Sequence, residues 1–237
     1  MATDAGRQLR ADAARNSERI LKAAREVYAE IGPDAMLEDI AHRAGVGIAT
    51  LYRRFSNKET LVKAALKQSM AEQLSPAIER ALGDEDPWRG LVTLLESTLS
   101  LVARERDIVA AANDAGALTA EVTAPYTDAQ VLLVRRGQAA GVIRADLVPA
   151  DMEKITGMLI SVLWNMAPET EGWRRYIVLI LDSLRPAGAS PLPPPPAPLP
   201  QRDEGTYDHP PGGLVTREGR AAEAEAEPKP QAEHRGC

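Results

Sequence analysis

The sequence predicts an all-α protein with a helix-turn-helix head, and three observations carry that prediction. Apolar residues recur at spacings of three and four through most of residues 17–184, and alternating β-branched runs are absent. Residues 37–55, LEDIAHRAGVGIATLYRRF, form two short amphipathic stretches hinged at Gly45. Finally, 12 of the 18 prolines fall in residues 186–237, so the helical pattern ends abruptly after Arg185.

The elements follow in order. Residues 1–15 are expected to be a flexible arm, and residues 16–67 the DNA-binding domain. Ser17 to Ile31 places Ile20, Ala24, Val27, Tyr28 and Ile31 on one face, and Gly32-Pro33 stops the helix. In the second helix Leu37, Ile40, Ala41 and Ala44 point inward. Gly45 ends it in a left-handed turn, and Val46 fills the angle to the next helix. In the third helix Leu51 and Phe55 point inward. That leaves Gly47, Ile48, Ala49, Thr50, Tyr52, Arg53 and Arg54 for a partner, small residues first and cations last, a pattern suited to close approach to base edges.

Ser56-Asn57-Lys58-Glu59 has capping-box spacing, with Ser56 as the cap and Glu59 reaching back. A long helix is predicted from there to about Leu82, kinked at Pro76, joining the head to the body at 68–185. Asp86-Pro87 opens the next helix, with Leu91, Leu94, Leu95, Thr98, Leu99 and Val102 as its apolar stripe. Further helices are predicted at Ile108–Ala115, Pro125–Ala140, Pro149–Asn165 and Gly172–Leu184. The last two are apolar around most of their circumference, which predicts burial on two sides. A second copy of the chain is the expected cover, through helices near 149–165 and 172–184. Residues 186–237, with PLPPPPAPLP at 191–200, hold too little apolar surface to offset the entropy of ordering and are expected to be disordered.

Net charge is −6 and unevenly spread. Residues 1–67 hold 12 Lys/Arg against 9 Asp/Glu, and the remainder 16 against 25. A cationic head on an acidic body fits a protein that presents one end to phosphate. No apolar run approaches the roughly 20 residues a bilayer crossing needs, and no apolar leader opens the chain, so a cytoplasmic, membrane-free protein is expected. The single cysteine, Cys237, leaves no internal disulfide or cysteine metal cage. Of the three histidines, none lies between residues 68 and 185. With no G-x-S-x-G and no phosphate-cradling glycine loop, neither an enzyme nor a bound metal or cofactor is expected.

The stretch Leu37 to Leu61 resembles the TetR family of one-component transcriptional regulators. The residues that carry the resemblance are Asp39-Ile40-Ala41, Ala44-Gly45-Val46, Thr50-Leu51-Tyr52, Phe55 and Lys58. Two positions depart from it. Ala35-Met36 stands where a threonine or serine usually caps the second helix, so that helix begins less firmly or is capped by Asp34, and Ala49 stands where glycine is common.

The resemblance implies that Thr50, Tyr52 and Lys58 bind phosphates, that Ile48, Ala49 and Arg53 face base edges, and that Arg54 serves either role. It also implies a homodimer on a palindromic double-stranded operator, acting as a repressor released by a small, largely apolar effector in the helical body. Thr98, Asn113, Met158 and Trp164 are the effector-site candidates, although Asn113-Asp114-Ala115-Gly116 reads first as a helix break. The alternative is a helical, dimeric small-molecule binding or adaptor protein without specific DNA readout.

Overall fold

The computed structural model describes residues 2–167 and 170–195, and in the first helix the side chains of residue 8 and of residue 12 onward. Ten helices are described: α1 (Ala2–Ile31), α2 (Leu37–Ala44), α3 (Ile48–Arg54), α4 (Lys58–Gln73), α5 (Ser75–Gly83), α6 (Pro87–Arg104), α7 (Arg106–Asp114), α8 (Ala120–Ala139), α9 (Pro149–Trp164) and α10 (Trp173–Ser183). None is long and apolar enough to cross a membrane. The described part of the chain is all-helical, as its periodicity predicts.

In the head, α1 packs on α2 and α4, and α2 on α3. Ile20, Val27, Tyr28, Ile40, Leu51, Phe55, Leu61 and Val62 fill the space between them and are almost wholly buried. Burying a side chain of this size contributes roughly 1.5–3 kcal/mol. In the body α6 lies at the centre, packed against α5, α8, α9 and α10, with Leu91, Leu94, Leu95 and Leu99 fully buried. Gly90 permits the tight α5–α6 approach: a Cβ there would stand 2.5 Å from the Ala81 carbonyl oxygen and 2.8 Å from Leu133 Cδ2.

Several expectations need correction. Residues 2–15, expected as a flexible arm, continue α1 as helical backbone, and no proline interrupts residues 2–31. The predicted kinked helix is two helices that meet at Leu74, since Pro76 cannot donate to the carbonyl four residues back and opens a new helix instead. Asn57 rather than Ser56 caps α4, its Oδ1 accepting from Thr60 N at 2.8 Å. Asp34 does not cap α2. Met36 N donates to Asp39 Oδ2 at 3.4 Å, so the carboxylate in the first turn replaces the missing hydroxyl. Helix α8 begins at Ala120, ahead of Pro125, which therefore lies inside it.

The first ten residues of the predicted tail are also held. Arg144 bonds the Ser190 carbonyl, and Leu192 N donates to Asp146 Oδ2 at 2.9 Å. The Arg185 guanidinium stacks 3.8 Å from the Trp88 ring. The expectation for residues 196–237 lies outside the described residues.

Candidate nucleic-acid interface

The turn between α2 and α3 fixes the site. Gly45 has φ 65° and ψ 37°, its N–H reaching the carbonyls of Ala41 and His42, and Val46 N bonds Ala41 O at 3.0 Å. This left-handed close is cheap only for a residue without Cβ, and it turns the chain directly into α3. Leu51, fully buried, and Phe55, 5% exposed, anchor the inner side of α3.

The outer side carries the predicted contact residues. Gly47, Ile48, Ala49, Tyr52, Arg53 and Arg54 are exposed, and Thr50 is half-buried. Ile48 and Tyr52 are 37% and 47% exposed, costly positions for large apolar groups in water and favourable ones against a groove wall. Among the described residues Arg53, Arg54 and Lys58 form no ion pair, whereas Arg25 and Arg43 on the rest of the head are neutralised by Glu72, Glu105, Glu26 and Glu30. The end of α3 therefore carries positive charge that none of the described carboxylates compensates, which suits phosphate.

Two of these cations are less free than the helical pattern suggests. Arg54 Nε donates to Ser17 Oγ at 2.6 Å, pinning α3 to α1 while the residue stays exposed. Lys58 Nζ donates to Pro33 O at 2.8 Å and lies 5.6 Å from the Tyr28 ring centroid, so it closes the α1–α2 turn from within. Beneath it Tyr28 is fully buried and its hydroxyl has no partner, and burial pushes its pKa up to about 12.

The effector candidates do not share one pocket. Thr98 is buried in the α6 core with its hydroxyl spent on Leu94 O at 2.8 Å. Asn113 is exposed at the end of α7, where its carbonyl accepts from Gly116 N, so the helix-end reading holds there. Met158, 53% exposed, borders an open groove of about 230 Å³ with Ile155, Leu184 and Leu192. Trp164 is half-buried, with the Arg106 guanidinium 5.0 Å from its ring. A small cavity of about 10 Å³ among Arg106, Leu163, Met166 and Trp173 includes none of the four.

The structure brings together two polar groups that the sequence did not single out. In the body, Tyr126 Oη and Thr156 Oγ1 lie 2.9 Å apart, and Gln130 Nε2 donates to both at 2.7 and 3.1 Å. Burial pushes the Tyr126 hydroxyl up to about 12, partly offset by these two bonds, so the cluster is neutral at ordinary pH. At the junction of head and body, Glu105 at the α6–α7 corner accepts from Arg25 Nε on α1 at 3.2 Å and from Gln73 Nε2 on α4 at 2.9 Å. Gln73 in turn accepts from Arg104 Nη2 at 2.8 Å. Only Gln130, one helical turn after Tyr126, offered a signal for the first group; the second needs residues 25, 73 and 105 in one place, which no local pattern shows.

Known proteins align with this geometry. Residues 20–65 match the family model described as bacterial regulatory proteins, tetR family. The chain is 38% identical over 93 residues to the uncharacterised HTH-type transcriptional regulator YvdT of Bacillus subtilis (strain 168), a match covering 39% of this chain and 48% of that protein. The chain thus spans about half the length of that curated relative. Among solved structures, the TetR transcriptional regulator SCO0520 from Streptomyces coelicolor superposes with TM-score 0.51 at 29% identity, covering 72% of this chain and 99% of the other. The regulator FadR from Bacillus subtilis, solved in complex with stearoyl-CoA, shares the fold with TM-score 0.56 at 20% identity, over 71% of this chain and 97% of its own.

Proposed function

We propose that this chain, which belongs to the TetR family, is a DNA-binding transcriptional regulator that acts as a homodimeric repressor and is released from its operator by a small molecule. The observation that carries the DNA reading is the outer side of α3: exposed Ile48, Ala49, Tyr52 and Arg53 on a helix held rigid by Leu51 and Phe55, with unpaired cations at its end. Gly47 leaves the helix start without a side chain, allowing close approach to the groove. Arg53 is assigned to a base edge, where a guanidinium bonds guanine in two places. Thr50, Tyr52, Arg54 and Lys58 are assigned to phosphates. Lys58 keeps two donors beyond its bond to Pro33 O.

Dimerisation is supported by what one copy leaves uncovered. Met158 on α9 and Tyr176, Val178 and Leu179 on α10 are 40–57% exposed, while Leu159, Leu163, Ile177 and Leu181 fill the inner sides of the same helices. Two copies pairing these faces bury the outer stripe in a four-helix contact and present two α3 helices to half-sites about 34 Å or a multiple apart. Effector control is supported by the helical body behind α4 and by the shared fold of FadR, whose solved complex contains stearoyl-CoA.

The test is a gel shift on the DNA upstream of the gene at several salt concentrations. Arg53→Ala should lose about 10-fold or more in affinity together with sequence preference, and Lys58→Ala should weaken all sequences alike. Equal binding of upstream and scrambled DNA by the unaltered protein would leave only a helical small-molecule binding protein.

A further inference from the structure

Ser17 is a polar residue in an apolar place. It lies on α1 one turn before fully buried Ile20 and is itself only 7% exposed, and the helix runs straight through it, so its hydroxyl caps no helix end. The hydroxyl stands instead in a relay of two bonds. Its proton goes to Ala13 O at 2.8 Å, which leaves a lone pair to accept from Arg54 Nε at 2.6 Å, across 37 positions of sequence. Two other guanidiniums of the head are fixed by acids, Arg25 by Glu72 and Glu105 and Arg43 by Glu26 and Glu30, and each carboxylate that orients the side chain also cancels its charge. A hydroxyl orients without cancelling. Arg54 keeps its full charge and stays exposed, and its Nη1 and Nη2 have no hydrogen-bond or ion-pair partner among the described residues.

We propose that Ser17 is a positioning residue for DNA binding: its hydroxyl holds the Arg54 guanidinium at the end of α3, charge intact, so that a backbone phosphate meets a cation already oriented. The inference rests on the DNA-binding reading above and adds to it a residue outside the helix-turn-helix. An unrestrained arginine loses the rotations of a long side chain when it binds, and that entropy opposes the contact. With Nε anchored, much of the ordering takes place on folding. The plane of the guanidinium is then set, and Nη1 and Nη2 remain as donors for phosphate oxygens. Because Ser17 is buried, water competes poorly for its end of the bond. Phosphates recur at every step of a duplex, so a contact of this kind strengthens binding without reading sequence.

Fluorescence anisotropy of the full chain on the duplex upstream of its gene, and on a scrambled duplex of the same composition, tests the role in Ser17→Ala, Arg54→Ala, the double variant and Ser17→Thr. Ser17→Ala should weaken both duplexes alike by roughly 3–10-fold, the contribution of one hydrogen bond. Ser17→Thr, which keeps the hydroxyl, should recover the loss. Arg54→Ala should weaken both at least as much and lower the salt slope by about 1. In the double variant the change at Ser17 should add nothing, since the group it positions is gone. The same fold-loss with and without Arg54 overturns the positioning role and makes Ser17 a packing residue only, and a loss confined to the upstream duplex overturns the phosphate assignment. Failure of the unaltered protein to bind either duplex sinks the DNA-binding reading and this one with it, whereas binding that Ser17→Ala leaves unchanged sinks this one alone.

Discussion

Removal of Arg25 tests whether the head–body junction is held by a buried ion pair or only decorated by one. The Arg25 side chain is 25% exposed and that of Glu105 is 10% exposed. Burial acts most strongly on the Glu105 carboxyl and would raise its pKa, but the hydrogen bond and charge of Arg25, with bonds from Ser69 and Gln73, outweigh it and leave the net pKa below the usual range. Breaking a buried pair typically costs about 3–5 kcal/mol, because one charge remains uncompensated. Glu105 would keep Gln73 and Ser69 and the Arg25 side chain is a quarter exposed, so the cost falls below that range and Arg25→Ala should lose about 2 kcal/mol, or roughly 4–8 °C in thermal midpoint for a chain of this size.

The pH dependence should also change sign. In the unaltered protein the depressed Glu105 contributes stability that is present above its unfolded pKa near ~4.3 and lost as pH falls through the lower folded value. Without Arg25 burial dominates and the folded pKa rises above that reference. The variant is then penalised most at neutral pH and recovers stability as pH falls through the raised value. Urea unfolding at pH 7, at pH 5 and below pH 4, at fixed protomer concentration, measures both effects. Glu72→Ala, which removes a half-exposed partner of Arg25, should cost under ~0.5 kcal/mol. A loss under ~0.5 kcal/mol for Arg25→Ala with no pH difference would refute the reasoning.

Gly90→Ala should destabilise by about 1–3 kcal/mol in calorimetry, because its methyl would meet the Ala81 carbonyl and force α5 from α6. Tyr126→Phe should cost about 1–2 kcal/mol in urea unfolding, since it removes the hydroxyl that joins Gln130 to Thr156. Val178→Asp with Leu179→Asp should yield a folded monomer in sedimentation, both side chains being more than half exposed in a single copy; an unchanged oligomeric state would move the interface elsewhere.

The head was legible because its information is local. Helical spacing assigns Ile40, Leu51 and Phe55 to the inside, and one glycine between two short stretches fixes the turn. Lys58 and Arg54 show where that reasoning stops. A helical wheel places a side chain's root but not its tip, and both chains are long enough to reach back to Pro33 and Ser17. The effector candidates lie apart for a related reason. Thr98 lies on the right stripe, but a threonine inside a helix can return its proton to the carbonyl four residues earlier, as this one does at Leu94. Polarity on an apolar stripe therefore cannot separate a spent hydroxyl from an open one, because that distinction depends on which atoms the fold brings within reach.

Helix α4 gains its importance from what is attached along its length. Its first residue is tied to the head through Lys58 and Pro33 O, its middle to α8 through Lys63 and Lys67, and its end to α1 and the α6–α7 corner through Glu72 and Gln73. The middle tie is the most exposed of the three, while the end tie is centred on a nearly buried carboxylate. A perturbation that opens the middle tie and leaves the end tie intact would pivot α4 about residues 72–73 rather than shift it bodily. The displacement would then be largest at the head, some 14 residues or roughly 20 Å along the helix from that pivot. A tilt of about 3 degrees over that length moves the start of α4 by about an ångström, which on the proposed dimeric reading would put two half-site contacts out of step.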